Sequence, residues 1–189
     1  MRRSRLATTD ERLLWHPRET IYRILCDIGS YREWWPDADG LGVVGPLPPQ
    51  VGTTLRLSYG PFVRWTAEVA ILREPDLIAM TYAGALQGVA AWRITADPGA
   101  STRVAYAIDI EPVPSWLKLV FALWNLQPEH SRQIGRVFDA LELRIGAVTA
   151  RETAQACPAV RSLPNFRSQS ATDAPLRQDP CSGNRPRLP

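Results

Sequence analysis

The chain has 189 residues, 22 basic against 19 acidic side chains, a formal net charge of +3 and three cysteines. That length suits one ordinary domain, and no apolar run approaches the roughly 20 residues of a membrane-spanning helix. The basic start Met1-Arg2-Arg3 leads into polar Ala7-Thr8-Thr9-Asp10-Glu11, not into an apolar signal core, so a soluble cytoplasmic protein is expected.

Leu6 to Trp15 has the length of one strand, although its alternation is poor. Pro17 suits the first turn of a helix, where its missing N–H costs nothing, and Glu19 suits the positive end of the dipole. Ile21, Ile24, Leu25 and Ile28 recur at helical spacing, and Gly29 is expected to end that helix. Ser30-Tyr31-Arg32-Glu33 has capping-box spacing, which predicts a second short helix stopped by Pro36.

From residue 41 the period becomes two. Leu55, Leu57 and Tyr59 alternate with polar residues, as do Val63, Trp65, Ala67, Val69 and Ile71, then Trp92 and Ile94, then Val104, Tyr106, Ile108 and Ile110. One apolar and one wet face indicate an antiparallel sheet. Gly60-Pro61, Glu74-Pro75-Asp76, Gly84 to Gly88 and Asp97-Pro98-Gly99 supply the turns of a meander of hairpins. Glu68, Asp109 and Glu111 fall on the outer face with Arg64, Arg93 and Arg103, where cross-strand pairing accounts for them.

After Pro112-Val113-Pro114 the helical period returns. Residues 116–126 are apolar at nine of eleven positions, and Pro128 starts or kinks a second stretch in which His130, Ile134, Val137, Phe138, Leu141 and Ile145 share one face. The inner face of the sheet is the only apolar surface large enough to receive that stripe. The last 39 residues hold six arginines against Glu152, Asp173 and Asp179, with six prolines and no apolar periodicity. Such a segment buries too little to offset ordering entropy. The expected division is therefore a domain over 1–147 and a disordered Pro/Arg-rich tail over 148–189, and the tail carries the whole net charge.

This order of elements resembles the START-related helix-grip superfamily, which includes bacterial polyketide cyclase/dehydrase-like (SRPBCC) proteins, lipid-transfer domains and the birch-pollen allergen type. The residues that carry the likeness are Pro17-Arg18-Glu19-Thr20-Ile21-Tyr22, Asp27-Ile28, Tyr31-Arg32-Glu33-Trp34-Trp35-Pro36, Trp65-Thr66-Ala67-Glu68-Val69 and Ser101-Thr102-Arg103-Val104-Ala105-Tyr106. It covers residues 4–147; the very apolar segment 116–126 and the long tail depart from the usual pattern. The resemblance implies an α+β helix-grip fold, a curved antiparallel sheet of about six to seven strands around a long C-terminal helix, with two short helices after the first strand. It also implies an internal cavity for an apolar or amphipathic small molecule, lipid-like or polyketide-like.

The residues expected to line that cavity are Leu57, Tyr59, Trp65, Met80, Tyr82, Trp92, Tyr106 and Ile108 from the strands, with His130, Ile134 and Phe138 from the helix. Broad aromatic side chains with a few convergent polar groups are how small-ligand sites are built, and they also fill cores. If the protein is an enzyme of the polyketide aromatase/cyclase type, His130 is the candidate proton-transfer group, with Tyr106 or Tyr82 orienting. Otherwise His130 is a surface group at the helix start. His16 borders the first helix, and Trp34-Trp35 forms either a ligand platform or packing beneath the sheet. Segment 116–126 is either a lid over the cavity or a weak peripheral membrane or partner contact beside the basic tail. Two distant histidines without a CxxC give no metal site, and no phosphate-binding glycine loop follows a strand, so no cofactor is expected. Evenly spread arginines give no nucleic-acid patch. Cys26, Cys157 and Cys181 form no disulfide framework, and nothing in the pattern specifies an oligomeric state.

Overall fold

The computed structural model describes residues 4–36 and 40–156. The chain forms β1 (Leu6–Leu14), α1 (Arg18–Cys26), a 3-10 turn (Ile28–Ser30) running into α2 (Tyr31–Trp34), then β2 (Gly42–Val44), β3 (Thr54–Tyr59), β4 (Val63–Arg73), β5 (Leu77–Gly84), β6 (Leu86–Asp97) and β7 (Ser101–Pro112). Two helices follow, α3 (Ser115–Leu123) and α4 (Gln127–Ala156). All seven strands make one antiparallel sheet in the order β1-β7-β6-β5-β4-β3-β2. The expected helix-grip arrangement is present: one long helix against the inner face of a curved sheet.

Local physics accounts for the elements. The carbonyl of Pro17 accepts from the amides of Thr20 and Ile21 at 3.1 and 3.2 Å, starting α1. Ile21, Tyr22, Ile24 and Leu25 are its buried face. That helix ends at Cys26, not Gly29, which lies inside the 3-10 turn. The capping box does not form. Ser30 already has helical dihedrals, so its hydroxyl turns back and donates to the Asp27 carbonyl at 2.9 Å. Glu33 instead pairs with Arg144 of α4 at 3.0 Å.

Two features of the sheet differ from simple alternation. In β4, Val69 pairs with Met80 and Ile71 with Ala79, so a bulge falls at Ala70. Beyond it the faces exchange: Ile71 is exposed and Leu72 packs on the core. The expected break from Gly84 to Gly88 is only a tight turn, because β6 begins at Leu86 and contains Gly88. A Cβ on Gly88 would lie 2.0 Å from the Asp109 carbonyl oxygen, at φ 141°, so only glycine fits this close strand approach.

Outer-face charges pair differently from the expected set. Arg103 bonds Glu11 at 3.0 Å and Asp97 at 3.3 Å, and Asp109 pairs with Arg5. The reason is strand order, since β1 lies beside β7 and brings Arg5 and Glu11 to it. Arg64 lies opposite Ser58, and Arg93 opposite Leu77 and Ala105, with no carboxylate across the strand.

The core lies between the sheet and α4, where Ile134, Val137, Phe138, Leu141 and Ile145 are all buried. Each side chain of this size contributes roughly 1.5–3 kcal/mol by leaving water. Helix α4 continues past residue 147: Val148 packs on the core, and Glu152 accepts from Arg23 of α1 at 2.7 Å. Residues 157–189, with Cys157, Cys181 and most of the expected tail, lie outside the described residues. No helix of the described residues is long and apolar enough to cross a membrane.

Candidate functional site

The inward side chains of β3 to β7 and the α2 aromatics enclose a narrow pocket of about 60 Å³. Its walls are Leu55 and Leu57 of β3, Ala67 of β4, Ile78, Met80 and Tyr82 of β5, Ala90 and Trp92 of β6 and Tyr106 of β7. Tyr31, Trp35 and Leu41 close it from the helical side. Trp35 stacks on Tyr31 with ring centroids 5.0 Å apart and meets Trp92 edge-on at 6.2 Å. Trp92 in turn contacts Tyr106 at 4.6 Å and Phe138 at 5.8 Å. A continuous aromatic stack therefore fills most of the space between α2, the sheet and α4. The remainder is smaller than the roughly 300 Å³ at which drug-sized ligand pockets begin.

One wall is polar. The hydroxyls of Tyr82 and Tyr106 lie 3.4 Å apart. Burial raises the pKa of both phenols, so each stays protonated at neutral pH and can donate. The ring of His130, in the first turns of α4, lies 6.0 Å from that of Tyr106. Asp10 is the β1 residue paired in register with Tyr106. His130 Nε2 and Asp10 Oδ2 are both buried without a hydrogen-bond partner. Burial pushes the His130 imidazole below its ordinary value, and the negative charge of Asp10 partly opposes this. The result is a neutral imidazole, a carboxylate and two phenol donors along the β1–β7–β5 side of the interior.

Asp10 is the member that sequence reasoning missed. Between buried Leu6 and Leu14, the inward positions of β1 are Thr8, Asp10 and Arg12. The poor alternation of this strand was itself the signal, since polar residues on a strand facing a core need partners inside. Arg12 finds them on α4, bonding Asp139 at 2.5 Å and standing 5.2 Å over the Phe138 ring.

Of the residues expected to line a cavity, Leu57, Met80, Tyr82, Trp92 and Tyr106 meet in the pocket. Ile108, Ile134 and Phe138 are buried in the core outside it, and His130 stands beyond Tyr106. Trp65 packs partly on the core and lines a separate groove with Arg32, Arg56 and Arg64. Tyr59 is corrected from a cavity-lining residue to an exposed one: it ends β3 at the hairpin tip. Trp34 and Trp35 divide as packing and pocket wall, with Trp34 edge-on to Tyr31 at 5.2 Å. Tyr31 itself is fixed by donating to the Leu25 carbonyl at 2.5 Å. His16 lies outside the pocket, and its carbonyl accepts from Thr102 at 2.7 Å. Among the described residues no group of three or more His, Cys, Asp or Glu side chains converges as metal ligands would.

Solved structures share this architecture. A protein of Thermus thermophilus is 21% identical, covers 76% of this chain and 99% of its own, and superposes with a TM-score of 0.62. A point mutant of Thalictrum flavum norcoclaurine synthase, in complex with a transition state analogue, is 13% identical over 79% of this chain and 99% of its own, with a TM-score of 0.59. A hypothetical protein of Helicobacter pylori is 12% identical over 74% of this chain and 87% of its own, with a TM-score of 0.57. At these identities the likeness is one of fold. No curated protein sequence matches. The family model described as polyketide cyclase / dehydrase and lipid transport matches residues 14–139, the span from the end of β1 into the first half of α4. The chain belongs to the polyketide cyclase / dehydrase and lipid transport family.

Proposed function

We propose that this chain binds an apolar or amphipathic small molecule, lipid-like or polyketide-like, in the interior between the sheet and α4. The observation that carries the reading is the pocket walled by Tyr31, Trp35, Trp92 and Tyr106 with two phenol donors at one side. The apolar walls take the body of the ligand, and the Tyr82 and Tyr106 hydroxyls take its polar end. Because the pocket measures only about 60 Å³, a ligand of ordinary size must displace an aromatic side chain. Trp35 is the one to move: it is only half-buried, it follows the short helix α2, and its indole meets the rings of Tyr31, Trp34 and Trp92.

The test is a titration of the full chain with the neutral dye Nile red. Trp35→Ala is expected to raise affinity by roughly threefold or more by enlarging the pocket. Met80→Trp, which fills the pocket from the sheet side, is expected to abolish binding while the far-ultraviolet spectrum is retained. Dye binding that neither substitution alters would overturn the reading.

A second reading is favoured by the neutral, unpartnered His130 beside Tyr106. Poised between Asp10 and a phenol, that imidazole suits removal of a proton from the methylene between two carbonyls of a poly-β-keto chain. The enolate carbon then attacks a further carbonyl, a phenol hydrogen-bonding the developing oxyanion, which takes its proton back from the imidazolium; loss of that hydroxyl with a neighbouring C–H proton as water completes a redox-neutral aldol condensation. Incubation with a poly-β-keto thioester checks it. His130→Asn is expected to lower turnover by roughly a hundredfold with unchanged binding, and equal turnover by the variant excludes His130 as the base.

A further inference from the structure

The pairing of the strands gathers several connections at one end of the sheet. Tyr59 pairs with Val63, Trp65 with Gly84, Leu86 with Pro112 and Leu6 with Ile110. The β3–β4 hairpin tip, the β5–β6 turn and the exit of β7 into α3 therefore all lie at that end. Several exposed large apolar side chains lie there as well. Tyr59 and Phe62 at the hairpin tip are 79% and 83% exposed, and Trp116, Leu119 and Leu123 of α3 are 51%, 59% and 70% exposed.

Helix α3 is apolar on two faces. Leu117 is buried and Val120 and Phe121 pack on the core, which makes one stripe. Trp116, Leu119 and Leu123 stand at i, i+3 and i+7 and make a second stripe in solvent. A helix that only covers an interior needs the first stripe and gains nothing from the second. The expectation that residues 116–126 serve as a lid or edge packing therefore leaves half of α3 unexplained.

Charge at this end has a direction. Lys118 of α3, Arg64 at the start of β4, and Arg32 and Arg56, which line the groove around Leu41 and Leu57, hold no carboxylate partner among the described residues. The nearby carboxylates Asp109 and Glu111 lie on the outer face of β7, and Asp109 is taken up by Arg5. Amphipathic aromatics, leucines and unpaired cations at one end of a domain match the layered chemistry of an anionic bilayer surface, in which indole and phenol rings sit at headgroup depth and cations meet lipid phosphate.

We infer that the end of the sheet carrying the β3–β4 hairpin tip and the outer stripe of α3 docks on an anionic lipid bilayer. The contact is peripheral. α3 lies along the surface with Trp116, Leu119 and Leu123 in the interface, while Phe62 anchors the opposite side of the same end. This is independent of what the interior pocket holds.

The experiment is co-sedimentation of the full chain with vesicles of phosphatidylcholine, with and without added phosphatidylserine, at low and physiological salt. Binding is expected on the anionic vesicles and is expected to weaken with salt. Leu119→Glu with Leu123→Glu, and separately Phe62→Glu, are expected to lower the partition coefficient by roughly tenfold or more. Trp15→Glu is the control, since Trp15 is 72% exposed but follows β1 at the opposite end; it is expected to leave binding unchanged. Circular dichroism establishes that each variant is folded. Four outcomes would overturn the inference: no wild-type binding, binding insensitive to the glutamate substitutions, equal loss with Trp15→Glu, or a concentration-dependent dimer that these substitutions dissociate without any vesicle binding.

Discussion

Burial of His130 Nε2 without a hydrogen-bond partner lowers the imidazole pKa below its ordinary 6.5, and the charge of Asp10 only partly compensates. The unfolded chain therefore binds a proton more readily than the folded one. The consequent stability is fully present above the unfolded value and is lost as pH falls through it toward the folded value. Tyr106 from β7 and Asp10 from β1 are the groups that face the ring, and the phenol stays protonated throughout. Between about pH 7.5 and pH 5.5 the urea midpoint is expected to drop, and His130→Phe is expected to flatten that slope. In a nuclear magnetic resonance titration, Asp10→Asn should move the His130 midpoint still lower, because it removes the favourable charge. A midpoint that rises in that variant contradicts the coupling.

Among the helices and strands, the 3.6-residue period of α4 predicted its buried face, and Ile134, Val137, Phe138, Leu141 and Ile145 are all buried. Leu141 is fully buried, whereas Leu143 on the opposite side is 77% exposed. Leu141→Ala is expected to cost about 2–5 kcal/mol and Leu143→Ala less than about 0.5 kcal/mol, read as urea denaturation midpoints. Similar costs at both positions would contradict the helix orientation. The strands were equally legible except at ends and bulges. Ala70 shifts the register by one residue and so turns Ile71 outward, an event that an uninterrupted run of apolar residues does not announce. Tyr59 fails for another reason: its side chain obeys the alternation, but the strand ends there and nothing lies above it.

Across the domain, the relation between α2, the sheet and α4 decides how much interior remains open. A stack running from Tyr31 through Trp35 and Trp92 to Phe138 leaves about 60 Å³. The gain in dye affinity expected for Trp35→Ala is therefore a statement about the whole interior, since the same indole that limits the space also holds α2 against the sheet. Loss of its three ring contacts, to Tyr31, Trp34 and Trp92, is expected to lower stability by about 1–3 kcal/mol in urea, even as binding improves. A variant that binds better without being less stable would mean that Trp35 is not part of the closed packing.

Local patterns alone were enough for the class of fold, because periods of 3.6 and 2.0 residues, helix-starting prolines and turn dipeptides act wherever they occur. They also marked Leu57, Met80, Tyr82, Trp92 and Tyr106 as inward, since a strand has only two faces. Which inward residues meet is a matter of strand pairing and helix placement. Setting β1 beside β7 brings Asp10 to Tyr106 and His130, residues separated by about a hundred positions, and no local pattern encodes that neighbourhood. The same strand pairing sets the hairpin tip and α3 at one end, so that exposed side chains unremarkable one at a time come to share one end of the sheet.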